Sequence, residues 1–139
     1  MIAIAISPRT VSYHHNLGLV YAAQGNNEEA FKTFQEVLEL DPNHSLTHAS
    51  LGGYYKKIGL EELAQQHIGK AMKHIYESEN EYNRACLDAI CGNIDQALDS
   101  LRVALENGQT YVDWVLNDPD LDSLRGDERF KSLISEFSK

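Results

Sequence analysis

The sequence predicts an all-α chain of about three helical hairpins closed by a shorter helical segment, and three observations carry that prediction. The first is self-similarity at an offset of 34 residues. Leu17, Gly18, Tyr21, Gly25, Ala30 and Phe34 are answered by Leu51, Gly52, Tyr55, Gly59, Ala64 and Ile68. The second is punctuation: Gly25-Asn26 and Gly59 fall where a helix must turn, and Pro42 stands where the next one must begin afresh. The third is composition, since 139 residues at 42% hydrophobic content suffice for one domain with a continuous core.

The elements follow in order. Ala3, Ile6 and Pro8 lie 34 residues before Val37, Leu40 and Pro42, so residues 1–8 read as the remnant of a preceding repeat helix. The competing reading is a strand alternating through Ile2, Ile4 and Ile6, but no other segment offers such alternation to pair with. Repeat one (residues 9–44) predicts helices over Thr10 to Gln24 and Glu28 to Leu40, closed by Asp41-Pro42. Repeat two (45–78) starts at Ser45 as a cap, runs to Lys57, turns at Gly59 and returns from Glu61 to about Tyr76. Tyr76 occupies the place of Pro42, so this helix is free to overrun by a turn.

Repeat three (79–109) opens on the capping box Ser78-Glu79-Asn80-Glu81. Ala85, Cys86 and Ala89 take the Leu, Gly and Tyr places, with one residue deleted before Gly92, and Ala97, Leu101 and Ala104 keep the register of the returning helix. Asn107-Gly108 ends it. From 110 to 139 the pattern becomes a cap: a short helix at Tyr111 to Leu116, the start pair Asp118-Pro119, a turn to Leu124, and a final helix after Asp127 with Phe130, Leu133, Ile134 and Phe137 on one stripe.

The 34-residue hairpin period with this order of Leu, Gly, Tyr, Gly, Ala and a ring resembles the tetratricopeptide repeat. The run Trp114, Asn117-Asp118-Pro119-Asp120-Leu121-Asp122, Leu124-Arg125, Asp127 and Arg129-Phe130 resembles the closing segment of many bacterial members of that family. The resemblance implies an α-α superhelix whose inner groove holds a protein or peptide, and a non-enzymatic, protein-binding function. The runner-up expectation is a structural or oligomerisation cap of a larger repeat protein, with the groove unused.

In that family the first helix of each repeat lines the groove. The resemblance therefore assigns the groove to His15, Asn16, Leu19, Ser50, Lys56, Lys57, Asn83, Arg84 and Leu87. No acidic residue lies between Arg9 and Asn27 or between Pro42 and Leu60, although the chain carries 21 of them and a net charge of −9. Lys56, Lys57, Arg84 and a protonated His15 then predict a basic groove that prefers an acidic partner. The acids opening the returning helices, Glu28, Glu29, Glu61 and Glu62, are equally explained by the helix dipole. A carboxylate clamp of the kind some members use on chaperone tails is not implied, because only Arg84 matches its positions.

Other chemistries are excluded by pattern. Cys86 and Cys91 are five apart with no second pair, so the expectation is two small thiols rather than a zinc site or disulfide. His44 with His48, and His67 with His74, have helical spacing but no converging third ligand, so packing is expected and no metal or cofactor. Phosphate loops and nucleophile elbows are absent, and no catalytic residue is assigned. The acidic balance argues against nucleic acid and membrane as partners, and a cytoplasmic location is the expectation. Ile2, Ile4 and Ile6 predict a homodimer through the N-terminal apolar segment.

Overall fold

The computed structural model describes residues 8–138. Within them the chain forms α1 (Pro8–Ala23), α2 (Asn27–Leu40), α3 (Ser45–Lys57), α4 (Glu61–Ser78), α5 (Glu81–Cys91), α6 (Ile94–Glu106), α7 (Val112–Asn117), a 3₁₀ helix (Pro119–Leu124) and α8 (Glu128–Phe137). The helices pair as the hairpins α1–α2, α3–α4 and α5–α6, and no strand occurs among the described residues. Residues 1–7, the expected helix remnant and dimer contact, lie outside the described residues. Pro8 opens α1, where its missing N–H costs nothing.

One turn chemistry joins the two helices in each of the three hairpins. The amide of Asn26 reaches back to the Tyr21 carbonyl at 2.9 Å, Leu60 to Tyr55 at 2.9 Å and Asn93 to Asp88 at 2.8 Å. Each such six-to-one bond requires the intervening residue in the left-handed region, and Gly25, Gly59 and Gly92 sit there with φ of 79°, 82° and 83°. Helix starts are capped by the side chains of Asn26, Asn80, Asp118 and Asp127. For α3 the cap is His44 rather than Ser45, with the imidazole Nδ1 accepting from the Thr47 amide at 3.3 Å. Ser45 is buried one residue inside the helix, where its hydroxyl is no longer placed to cap.

The glycines of the repeat pattern mark where two helices nearly touch. A Cβ on Gly18 would lie 2.5 Å from the Phe34 ring, and one on Gly52 would lie 2.6 Å from Ile68 and 3.3 Å from the Ala64 carbonyl. The ring or branched chain of the second helix thus fills the space the first leaves empty. Three clusters of buried side chains result, one per hairpin.

The third cluster is the largest because it continues beyond the hairpin. Ala85, Ala89, Ala97 and Leu101 of α5 and α6 share one core with Val115, Leu121, Leu124, Phe130 and Leu133 of the C-terminal segment. Ion pairs also tie α8 to α6, Arg129 to Asp95 at 2.6 Å and Arg102 to Glu136 at 2.5 Å. They are exposed, so burial rather than charge holds the segment in place.

Two measurements check this packing. Gly52→Ala overfills the α3–α4 contact and lowers stability by about 1–3 kcal/mol, whereas Gly69→Ala, whose Cβ meets nothing within 4 Å, raises it by about 0.5–1 kcal/mol through helix propensity. Thermal melts of the two variants should move in opposite directions. Phe130→Ala should cost about 3–5 kcal/mol by leaving a cavity, read by urea unfolding followed at Trp114, which packs on the same cluster; a loss below about 1 kcal/mol would make the C-terminal segment dispensable.

Candidate functional site

The first helices of the three hairpins, α1, α3 and α5, bear the face on which the candidate residues were expected. That face is not bare. The 3₁₀ helix Pro119–Leu124 lies across it as a strap, packed chiefly on α5 and also touching α1 and α6. Ser50 Oγ donates to Asp120 Oδ2 at 2.9 Å, and Lys57 Nζ donates to Asp122 Oδ2 at 2.5 Å and to the Pro119 carbonyl at 3.3 Å. Ser123 Oγ donates to the Ala89 carbonyl at 2.7 Å. Arg125 braces the strap from outside, donating to the Asp118 carbonyl at 2.6 Å and to Asp122 Oδ1 at 2.9 Å.

The strap divides the face. Between the first hairpin, the C-terminal ends of α3 and α5, and the strap runs an open cleft of about 540 Å³, lined among others by Leu19, Phe31, Ser50, Tyr54, Lys56 and Lys57. Beneath the strap a recess of about 60 Å³ remains, to which His15, Asn16, Leu19 and Asn83 contribute. Four of the expected residues therefore meet in the cleft, and Lys56 there spends its ammonium on the Ile90 carbonyl at 2.8 Å. Asn16 is exposed, and Asn83 is turned to Glu79 at 2.9 Å.

Three expectations are corrected. Leu87 is fully buried in the second cluster with Ile75 and Ile90, because α5 is packed by α3, α4, α6 and the strap and has no free face there. Arg84 lines neither the cleft nor the recess, and its Nε is buried without a hydrogen-bond partner. His15 carries no charge at neutral pH: burial, and secondarily the neighbouring His44, lower its pKa to about 3. The basic groove is thereby reduced to Lys56 and Lys57, against which the strap sets Asp120 and Asp122.

The carboxylates themselves form a buried knot. Asp118 accepts from Tyr82 Oη at 2.5 Å, from the Asp120 amide at 2.9 Å and from Cys86 Sγ at 3.7 Å. Desolvation raises the pKa of Asp118, and desolvation together with the adjacent Asp118 charge holds Asp120 well above the ordinary carboxylate range. Burial pushes the Cys86 thiol up as well. Cys86, Asp118 and Asp120 bring ligand-type atoms within 4.8 Å of one another, the one such group of three among the described residues. Each carboxylate already holds internal donors, so the group pins the strap to α5 and α3. Among the described residues the histidines meet in pairs without a third ligand: His15 and His44 share Thr47, and His48 bonds Pro42 and His67.

Comparison with known proteins agrees with this architecture. The sequence model of the family described as Tetratricopeptide repeat matches residues 11–44, which span the α1–α2 hairpin and the corner after it. Over 84 residues the chain is 30% identical to Tetratricopeptide repeat protein 6 of Homo sapiens. The chain is a tetratricopeptide repeat protein. The alignment covers 58% of this chain and 16% of that human relative, and no solved structure matches. Tetratricopeptide repeat proteins are in general non-enzymatic scaffolds for protein–protein interaction, the class of function that membership supports. None of the described helices is long and apolar enough to cross a membrane.

Cleft residues missed by sequence reasoning include Phe31 of α2, Tyr54 of α3, Ile90 of α5 and, from the strap, Asp120, Asp122 and Ser123. A signal existed for the aspartates. The run Asn117–Asp122 is opposite in sign to Lys56 and Lys57. The knot also sets a pH dependence. A carboxyl whose folded-state pKa is raised stabilises the fold at low pH and loses that contribution as pH rises. Asp120→Asn should therefore stabilise the protein at pH 8 by on the order of 1 kcal/mol, with the gain shrinking as pH falls toward 4; melts across that range check it, and a pH-independent difference would contradict it.

Proposed function

We propose that this tetratricopeptide repeat protein works by holding a segment of a protein partner in the cleft between its first hairpin and the strap. The observation that supports this reading is the cleft itself. Its apolar walls, Leu19, Ala22, Phe31, Tyr54 and Ile90, end at Lys56 and Lys57, and its size suits a few side chains of an extended segment. The Lys57–Asp122 pair is about half exposed on both sides. Such a pair is worth little in itself, so a partner carboxylate can take the place of Asp122 at small cost. The partner class that fits is a segment joining apolar side chains to an acidic one.

A second reading has its own support. The strap covers the part of the inner face that α5 would otherwise offer, which suits a chain that ends or spaces a longer repeat array with its groove unused. The two separate on captured partners. Cross-linking of the intact chain identifies a partner, and Lys57→Glu and Phe31→Ala are then compared with the parent. If the cleft is the site, both weaken binding about tenfold or more, a loss of about 1.4 kcal/mol, and Lys57→Glu also flattens the salt dependence. Unchanged affinity in both variants leaves the structural reading in possession.

A further inference from the structure

Where the first hairpin meets the second, the link runs through imidazoles. His15 of α1 is buried against Phe34 and places its Nδ1 2.9 Å from Thr47 Oγ1 of α3. The same hydroxyl lies 2.8 Å from His44 Nδ1, which also receives the Thr47 backbone N–H. An amide only donates, so His44 Nδ1 is bare and its proton sits on Nε2. The hydroxyl then donates to His44 and accepts from an N–H on His15 Nδ1. One assignment of protons satisfies all three groups, and both rings are neutral in it.

We propose that this corner is an acid-sensitive latch: His15, Thr47 and His44 join α1 to α3 while both rings are neutral, and proton uptake parts the first hairpin from the rest of the molecule. A proton on His44 Nδ1 would face the Thr47 N–H with another N–H and would place a cation at the N-terminus of α3. That helix has no acid in its first turn to offset the charge, whereas α2, α4, α5 and α6 each do. Burial outweighs the other influences on His44: Asp41 and Glu79 favour its charged form, while His48 and His74 oppose it. His15 shares the recess beneath the strap with Tyr82, Cys86, Asp118 and Asp120, and there burial, then His44, keeps it neutral. On the far side of the corner, the Pro42 carbonyl can only accept, so His48 Nε2 donates to it at 2.8 Å. His48 Nδ1 is then bare and faces an N–H on His67 Nδ1 at 2.9 Å. The latch matters because the first hairpin is otherwise attached thinly, chiefly through α2 on α3 and α1 on the strap. The cleft lies along that seam.

Groups whose folded-state pKa is lowered stabilise above the ordinary histidine range and cease to do so as pH falls below it. The test uses the intact chain. In a histidine ¹⁵N spectrum at pH 7.5, His44 should carry its proton on Nε2 and His15 on Nδ1. Hydrogen exchange, corrected for intrinsic rates, should then show opening of α1 and α2 rising about tenfold per pH unit for each proton taken up between pH 6.5 and 5, with α5 and α6 unmoved. His44→Asn keeps a capping acceptor but cannot titrate, and should lose one proton's worth of that slope; His74→Gln, an exposed neighbour outside the latch, should keep it. A proton on His44 Nδ1 at neutral pH, a pH-independent first hairpin, or an unchanged slope in His44→Asn would each overturn the proposal. Should His44→Asn fail to fold, the parent's spectrum and exchange profile decide the matter alone.

Discussion

The apolar flank of the third hairpin is the constraint from which most of the molecule follows. Each helical hairpin buries one side against its neighbour, so the last in a stack is left with a side that needs cover. Here α7, the strap and α8 supply it, with Leu121 and Leu124 fully buried against α5 and α6. To deliver those two leucines the chain must cross the inner face between Asp118 and Leu124. The same crossing lays Asp120 and Asp122 beside Lys57 of α3 and turns Asp118 to Tyr82 and Cys86 of α5. What terminates the core thus also decides how much of the inner face remains open, and the open remainder is the cleft beside the first hairpin.

That crossing changes the electrostatic meaning of the charges. Lys56 and Lys57 stand in a stretch without acids and would, alone, make the face basic. With Lys57 on Asp122 and Lys56 on a helix-terminal carbonyl, the face is instead nearly balanced, and its preference for carboxylates survives only where the ion pair is exposed enough to exchange. The inner carboxylates, Asp118 and Asp120, belong to the packing. They are held by Tyr82, Cys86 and Ser50, groups with no formal charge, which is why desolvation dominates their behaviour.

The hairpins were legible because their rules are local. A glycine that must take positive φ, another that must let a ring approach, and an acid or amide at most helix starts are all visible within one repeat, and the repeat occurs twice in clear form. Leu19, Ser50, Lys56 and Lys57 were legible for the same reason, lying on the first helix of such a repeat. Leu87 and Arg84 were not: a residue is missing from α5, and that helix is enclosed on every side, so register no longer tells inside from groove. The strap's contacts escaped because they join residues 62 to 70 positions apart, a chain reversal no periodicity encodes. The His15–Thr47–His44 relay escaped for a related reason, since it crosses between hairpins, and His15 was expected as a charged groove residue while His44 was expected only to pack.

The two buried polar groups respond to pH in opposite senses, although both reach the recess beneath the strap, where His15 meets Asp118 and Asp120. Acid favours the protonated carboxyls that lie under the strap, and so holds the strap to α5 and α3. Acid disfavours the neutral imidazoles at the α2–α3 corner, and so loosens the first hairpin. Neither the strap nor the first hairpin is therefore held by apolar packing alone, although apolar packing supplies nearly all the burial. A cleft whose walls answer oppositely to protons is not tightened at both walls by moving the pH in either direction. Burial is the shared cause, raising the acids and lowering the bases.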